Sequence, residues 1–160
     1  PPSYPRELVR KGVEGIVLLN VRINADGSVA DVAAEQSSLL NLKGNPARLE
    51  PALALLERSA MTNARKWRFR IHAAEQDSPA PVEHTVRVPV HYAMGPARNE
   101  DFTGTWRYEY RGPHRMAPWL TAADEEMLVG VSDLSSGEML SGSPSLRLLN
   151  RDQALGASAP

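Results

Sequence analysis

The chain has 160 residues, which suits one domain or a small domain with an extension. Its 18 basic and 19 acidic residues give a formal net charge of −1, so we expect no nucleic-acid partner, which would require a basic excess. Cysteine is absent, which excludes disulfides, thiolate zinc sites and cysteine nucleophiles. No apolar run approaches the roughly 18 residues of a membrane helix, so this fragment itself is not expected to span a membrane. Because the chain begins with Pro1 and not Met, we expect any signal peptide or membrane anchor to lie upstream.

The first forty residues predict a short helix followed by a β-hairpin. Residues 5–11 suit a helix that ends at Gly12. Residues 14–23 have the alternation of a half-buried strand. A turn at Gly27 leads to a return strand over residues 29–37, whose imperfect alternation indicates a bulge. Residues after this strand are expected to form a loop.

An amphipathic helix is predicted from about Ala47 to Lys66. Its start is open between Asn45 and Glu50, each of which precedes a proline. Apolar positions recur every three or four residues and so form one helical face, which consists of Leu49, Leu53, Leu56, Ala60, Ala64 and Trp67. Because a two-stranded hairpin alone is marginally stable, packing of this face on the hairpin is expected to stabilise it.

Residues 82–94 predict a long strand at the edge of the sheet. The even-numbered positions are almost wholly apolar and are expected to face the helix. Side-chain face and hydrogen-bond direction alternate together along an antiparallel strand. Pro89 is odd-numbered and has no N–H, which a strand tolerates where that donor would point away from the sheet. The backbone groups of Thr85, Arg87 and His91 are therefore expected to face an open edge, which could bind another strand.

Six short motifs follow one another along residues 2–94. They are Pro2-x-Tyr4-Pro5, Gly12-x-Glu14-Gly15, Asp26-Gly27-x-Val29, Ser37-Ser38, Lys66-Trp67-Arg68-Phe69 and Val86-x-Val88-Pro89-Val90-x-Tyr92. Each motif alone is weak, and the specificity lies in the ordered set at compatible spacing. Taken in chain order, this set resembles the C-terminal domain of the TonB family, the periplasmic energy transducers of Gram-negative bacteria. The resemblance implies an α+β fold, with a three-stranded antiparallel sheet and helices on one face.

The resemblance also implies a binding function. The domain would bind the N-terminal peptide (the TonB box) of a TonB-dependent outer-membrane transporter as a strand added beside its last strand. It would transmit force from an ExbB/ExbD-type proton-driven motor of the inner membrane to drive substrate uptake. The peptide-binding edge carried over from the family is Val86, Arg87, Val88, Pro89, Val90, His91 and Tyr92, and Tyr4 and Pro5 belong to the family's N-terminal element close to the transporter contact. Thr85 joins the predicted site through the direction of its backbone groups.

The same resemblance implies a periplasmic location, with anchoring in the inner membrane by a helix upstream of this fragment. A second interpretation stays open, in which the domain is a TonB-like interaction module of another cell-envelope protein without energy transduction. The two interpretations share a fold, so the fold alone does not separate them. A free strand edge is also compatible with a homodimer.

The residues predict neither an enzyme nor a cofactor or metal site. His84 and His91 are seven positions apart on one predicted strand, hence on opposite faces, where they do not converge on a metal. The basic and aromatic stretch 65–70 is interpreted as a helix end followed by an extended segment, with Trp67 and Phe69 on a buried face.

Residues 95–160 lie outside the resemblance. We divide them into an extension of unknown role, 95–153, and a tail, 154–160, whose small residues predict disorder. Residues 1–94 then form the TonB-like domain. Near residue 121, the pattern Thr121-x-x-Asp124 predicts the start of a short helix.

An aromatic strand is predicted within the extension, from Phe102 to Tyr110, because aromatic residues alternate there with polar ones. Two placements are open. The strand folds back onto the free edge of residues 82–94 and covers the peptide site, or it packs elsewhere on the domain.

Overall fold

The computed structural model describes residues 4–40, 42–71, 84–94 and 109–124, together with the backbone of three short strands nearer the C-terminus. The elements are α1 (Arg6–Arg10), β1 (Glu14–Ile23), β2 (Val29–Leu40), α2 (Pro46–Ala64), β3 (Phe69–Ile71), β4 (His84–Ala93), β5 (Glu109–Arg111), β6 (Leu140–Ser141), β7 (Leu146–Leu148) and β8 (Ala157–Ser158). Neither α1 nor α2 has both the length and the apolar character that crossing a membrane requires.

The sheet is built on three long antiparallel strands in the order β2-β1-β4. β1 pairs with β4 from Gly15 opposite Tyr92 to Ile23 opposite His84, without a register shift. The predicted α+β fold with an antiparallel sheet is confirmed. The count of three strands was wrong, because short strands from the extension are added at both edges. For the same reason, the edge of β4 that was predicted to be open is paired at Val86–Arg87 and at Tyr92–Ala93. β5 pairs with β2, and β6 and β8 pair with β4, while β3 and β7 form a separate pair.

The hairpin between β1 and β2 has the predicted turn and the predicted bulge. Gly27 adopts φ +82°, and a Cβ at this position would lie 2.0 Å from the carbonyl oxygen of Phe69, so the turn requires glycine on both grounds. The register between β1 and β2 shifts at Leu18 and Leu19, where Glu35 is the extra residue of β2. β2 also runs to Leu40, beyond the predicted end, because its two bulges lengthen it relative to β1, so that Leu40 lies opposite Glu14. The residues expected to form a loop there pair with β5 on their other side.

Helix α2 begins at the first of the two predicted starts. Asn45 is the N-cap, and its side chain accepts a hydrogen bond from the Arg48 N–H at 3.1 Å. The predicted apolar face is confirmed, since all six of its residues are at most 4% exposed and belong to the core. After the helix, Trp67 and Phe69 are buried whereas Arg68 and Arg70 are exposed, as the alternation predicts.

The extension contacts the edge of β2 and crosses the sheet face opposite α2. Residues 112–120, which we call the strap, first follow β2, where the Arg115 N–H donates to the Glu35 carbonyl at 2.8 Å. Ala117 is 1% exposed. Trp119 then donates from Nε1 to the Thr85 hydroxyl of β4 at 3.0 Å. The strap thereby joins the two outer long strands across the sheet.

Of the two placements open for the aromatic strand, the described part takes the second and packs away from the β4 edge. Tyr110 lies in β5 and pairs with Leu39 of β2, at the opposite edge of the sheet. Residues 102–108 lie outside the described part of the chain. At residue 121 the predicted capping box is present, since Asp124 accepts from the Thr121 N–H at 2.8 Å and its own N–H donates to the Thr121 hydroxyl at 3.3 Å.

We expect Leu56→Ala to lower the free energy of unfolding by about 2–5 kcal/mol, because Leu56 is completely buried between helix and sheet. Leu55→Ala serves as the matched control, because Leu55 lies on the same helix and is only partly buried. Urea denaturation of both variants measures the two losses. Equal losses at the two positions would contradict the assigned helix face.

Candidate functional site

Both faces of β4 are buried, so this strand offers its backbone and little else to a partner. The helix-facing residues Val86, Val88, Val90 and Tyr92 are each at most 1% exposed, as predicted from the sequence. On the opposite face, Arg87 is 5% and His91 is 6% exposed. The burial of this second face was not predicted, because the sequence pattern does not indicate that the strap crosses it.

The direction of the backbone groups in the sheet follows from one hydrogen bond at its other edge. The Gly112 N–H donates to the Ser37 carbonyl at 2.8 Å, so Ser37 directs its backbone away from β1. Because these directions alternate along a strand, the next residue, Ser38, directs its backbone towards β1, where it lies opposite Ile16. The even-numbered residues of β1 therefore bond to β2, and the odd-numbered residues bond to β4.

This polarity leaves the odd-numbered backbone groups of β4 on the outer side. Val17 of β1 bonds to its partner Val90, and the adjacent position, where Pro89 stands, requires no N–H towards β1. The backbone groups of Arg87 and His91 share the direction of Pro89, since the β1–β4 register has no shift. Pro89 and the Gly112–Ser37 hydrogen bond at the far edge therefore indicate the same outward direction for the odd-numbered backbone groups of β4.

A buried carboxylate on the second face fixes the side chains behind this edge. Glu35, the bulged residue of β2, accepts from Arg87 Nε at 2.7 Å and from Asn20 Nδ2 at 3.0 Å. His114 of the strap approaches its other oxygen at 3.2 Å. Arg87 and Glu35 are both 6% exposed at their side chains, so removing either would leave a charge buried in a low-dielectric site. The guanidinium of Arg87 is thus held on the sheet face, away from the outer side of the strand.

The predicted Tyr4-Pro5 element lies at the C-terminal end of β4. The Tyr4 ring packs edge-on against Tyr92 with centroids 5.2 Å apart, and its hydroxyl donates to the Val13 carbonyl. Burial, then the charge of Glu14, then Tyr92 raise the pKa of Tyr4, so this hydroxyl remains a donor. The Pro5 carbonyl accepts the first hydrogen bonds of α1. The structure therefore brings the N-terminal part of the predicted site together with Tyr92.

The opposite end of β4 is held by the strap. Trp119 donates to Thr85 at 3.0 Å, and the Arg22 guanidinium lies 5.4 Å from the centroid of the Trp119 ring. This contact was missed by the sequence reasoning, because nothing in the pattern around Trp119 indicates which strand it reaches. In the part of the chain that the structure describes, no three His, Asp or Glu side chains are grouped to hold a metal ion.

The sequence model of the family described as Gram-negative bacterial TonB protein C-terminal matches residues 1–42. Protein TonB of two Xanthomonas campestris pv. campestris strains is 36% identical over 94 residues, which are 59% of this chain and 35% of each relative. Protein TonB of Vibrio cholerae serotype O1 is 26% identical over 93 residues, 58% of this chain and 32% of the relative.

The match thus spans about a third of the length of the curated relatives. No solved structure matches the chain significantly. The comparisons confirm the resemblance to the TonB C-terminal domain that the ordered motifs predict.

We expect the stability of the domain to fall in mild acid through His91. Burial lowers the pKa of His91, so below about pH 6.5 the unfolded chain binds a proton that the folded chain resists. The free energy of unfolding should therefore decrease with falling pH, by at most about 1.4 kcal/mol per pH unit from this group.

Urea denaturation of the wild type and of His91→Gln between about pH 7.5 and pH 5 isolates this effect. The wild type should lose more stability than the variant over this window. Parallel losses in the two proteins would contradict the burial of a neutral imidazole at this position.

Proposed function

On the premise that residues 2–94 correspond to a TonB C-terminal domain, we propose that this domain binds the N-terminal peptide of a TonB-dependent outer-membrane transporter. The peptide adds as a β-strand to the outer side of β4. The site consists of the backbone of residues 85–92, with Tyr4 and Pro5 beside its C-terminal end. Within this proposal the domain is a binding component of an energy transducer and performs no catalysis.

The observation that carries the proposal is the polarity of β4. Outward-directed N–H and C=O groups at Arg87 and His91 form a row of donors and acceptors, and such a row pairs readily with an extended peptide. Pro89 interrupts this row at one donor, so the peptide meets one gap in its ladder. The gap lies at the middle of the strand and leaves bonding positions on both sides.

Recognition through backbone groups explains how one domain could serve transporters with different sequences. The side chains of β4 are buried in the core or under the strap, so few of them are available to read the peptide's side chains. Each added backbone hydrogen bond contributes about 0.5–1.5 kcal/mol net. Several are needed to offset the ordering of a flexible peptide, which predicts weak binding in isolation.

Force transmission is the second part of the proposal, with an ExbB/ExbD-type motor in the inner membrane as its source. Load that enters from the N-terminal side of Tyr4 reaches β1 through α1 and reaches β4 through the β1–β4 ladder. That ladder runs from Gly15 to Ile23 without a register shift, so the load is shared along it. Pulling along a strand loads its hydrogen bonds together, and a weakly bound peptide in the adjacent position would be loaded in the same manner. A periplasmic location follows from this role.

A backbone scan of the peptide tests strand addition directly. Synthetic peptides that cover the N-terminal segments of the source organism's TonB-dependent transporters are titrated against the full chain by calorimetry. N-methylation is then placed at successive residues of the peptide that binds most tightly. Methyl groups on amides that face β4 should weaken binding by about twofold to tenfold or more, because each removes a hydrogen bond.

Methyl groups at the alternate positions are the matched controls, since those amides point away from β4. The expected result is therefore an effect with a period of two residues. A uniform effect at all positions, or binding that survives every methylation, would contradict strand addition. Absence of binding by every transporter peptide would contradict the proposed partner class.

A further inference from the structure

The outer side of β4 carries two short strands from the C-terminal part of the chain. β6 pairs antiparallel with the first half of β4, with Leu140 opposite Arg87 and Ser141 opposite Val86. β8 pairs parallel with its end, with Ala157 opposite Tyr92. Between these two contacts, residues 88–90 of β4 have a paired strand only on the β1 side, within the described part of the chain.

The polarity of β4 determines which residue of β6 bonds to it. Arg87 directs its N–H and C=O outward, so the pair Arg87–Leu140 exchanges hydrogen bonds. Val86 directs its backbone towards β1, so Ser141, opposite it, directs its own N–H away from β4. Adjacent residues of β6 therefore make different contributions to the pairing.

We propose that the C-terminal segments β6 and β8 occupy both ends of the peptide-binding edge and compete with the incoming peptide. This inference rests on the proposed function of that edge. The peptide displaces the two short strands in a strand exchange. Strands of two residues are easily displaced, because each contributes few backbone hydrogen bonds. The extension thus sets the affinity of the edge and protects it from pairing with other chains.

Two proline variants of the full chain separate this competition from general effects on folding. Leu140→Pro removes the N–H that donates to Arg87, so the competitor is weakened. Peptide affinity should rise by about twofold to tenfold, which corresponds to one net backbone hydrogen bond. Ser141→Pro is the matched control, because the N–H that it removes points away from β4. The Ser141→Pro variant should bind the peptide with the same affinity as the wild type.

Amide hydrogen exchange supplies a readout that needs no peptide. In the wild type the Arg87 N–H should exchange slowly, and it should exchange faster in Leu140→Pro but not in Ser141→Pro. The Val88 N–H, which bonds to β1, should stay slow in all three proteins and so reports an intact fold. Fast exchange of the Arg87 N–H in the wild type, or equal peptide affinities for the two variants, would overturn the inference.

The failure of the proposed function has a different signature. If no transporter peptide binds any of the three proteins while the exchange pattern appears as expected, the edge is occupied by the chain's own strands but is not a transporter site. In that case the competition is overturned together with the proposed partner, although the occupancy by β6 stands on its own measurement.

Discussion

The alternation of backbone directions along β4, fixed by the missing N–H of Pro89, is the constraint on which the account depends. A proline in an antiparallel strand must lie where its donor would point away from the neighbouring strand. Because the directions alternate, one proline determines the polarity of every residue in a strand without a bulge. At the far edge of the sheet, the Gly112–Ser37 hydrogen bond leads to the same polarity through two strand registers. Two independent features thus assign the odd-numbered backbone groups of β4 to its outer side.

The two faces of the sheet differ in chemistry, since one is apolar and the other contains a buried ion pair. The face towards α2 is a hydrophobic core, in which the valines of β4 and Tyr92 are almost fully buried. The opposite face holds the ion pair of Glu35 with Arg87 beneath the strap. Such a pair adds little net stability, because desolvation offsets most of the attraction. Its consequence here is geometric, since it fixes the charged side chain of β4 on the sheet face and leaves only backbone groups at the outer edge.

Sequence reasoning predicted those elements whose pattern is local. β1 was predicted at its observed bounds, and the apolar face of α2 was predicted correctly, because alternation and helical periodicity are properties of neighbouring residues. The polarity of β4 was also accessible, since a single proline encodes it. The positions of the strap and of the added strands could not be predicted, because the residues around Trp119 and Tyr110 do not indicate which strand these side chains or their strand will contact. The last three residues of β2 pair with β1, but the sequence predicts a loop there, because the two bulges of β2 interrupt its alternation and extend it beyond the expected end.

Direct observation of the β1–β4 hydrogen bonds is the most direct test of the polarity. Scalar couplings across hydrogen bonds, measured by NMR between an amide nitrogen and a carbonyl carbon, identify each donor and its acceptor. The account predicts couplings from the amides of Val86, Val88 and Val90 to the carbonyls opposite them, those of Val21, Leu19 and Val17. Couplings from the amides of Arg87 and His91 to carbonyls of β1 would contradict it, because the outer edge would then lack the groups that a partner strand requires.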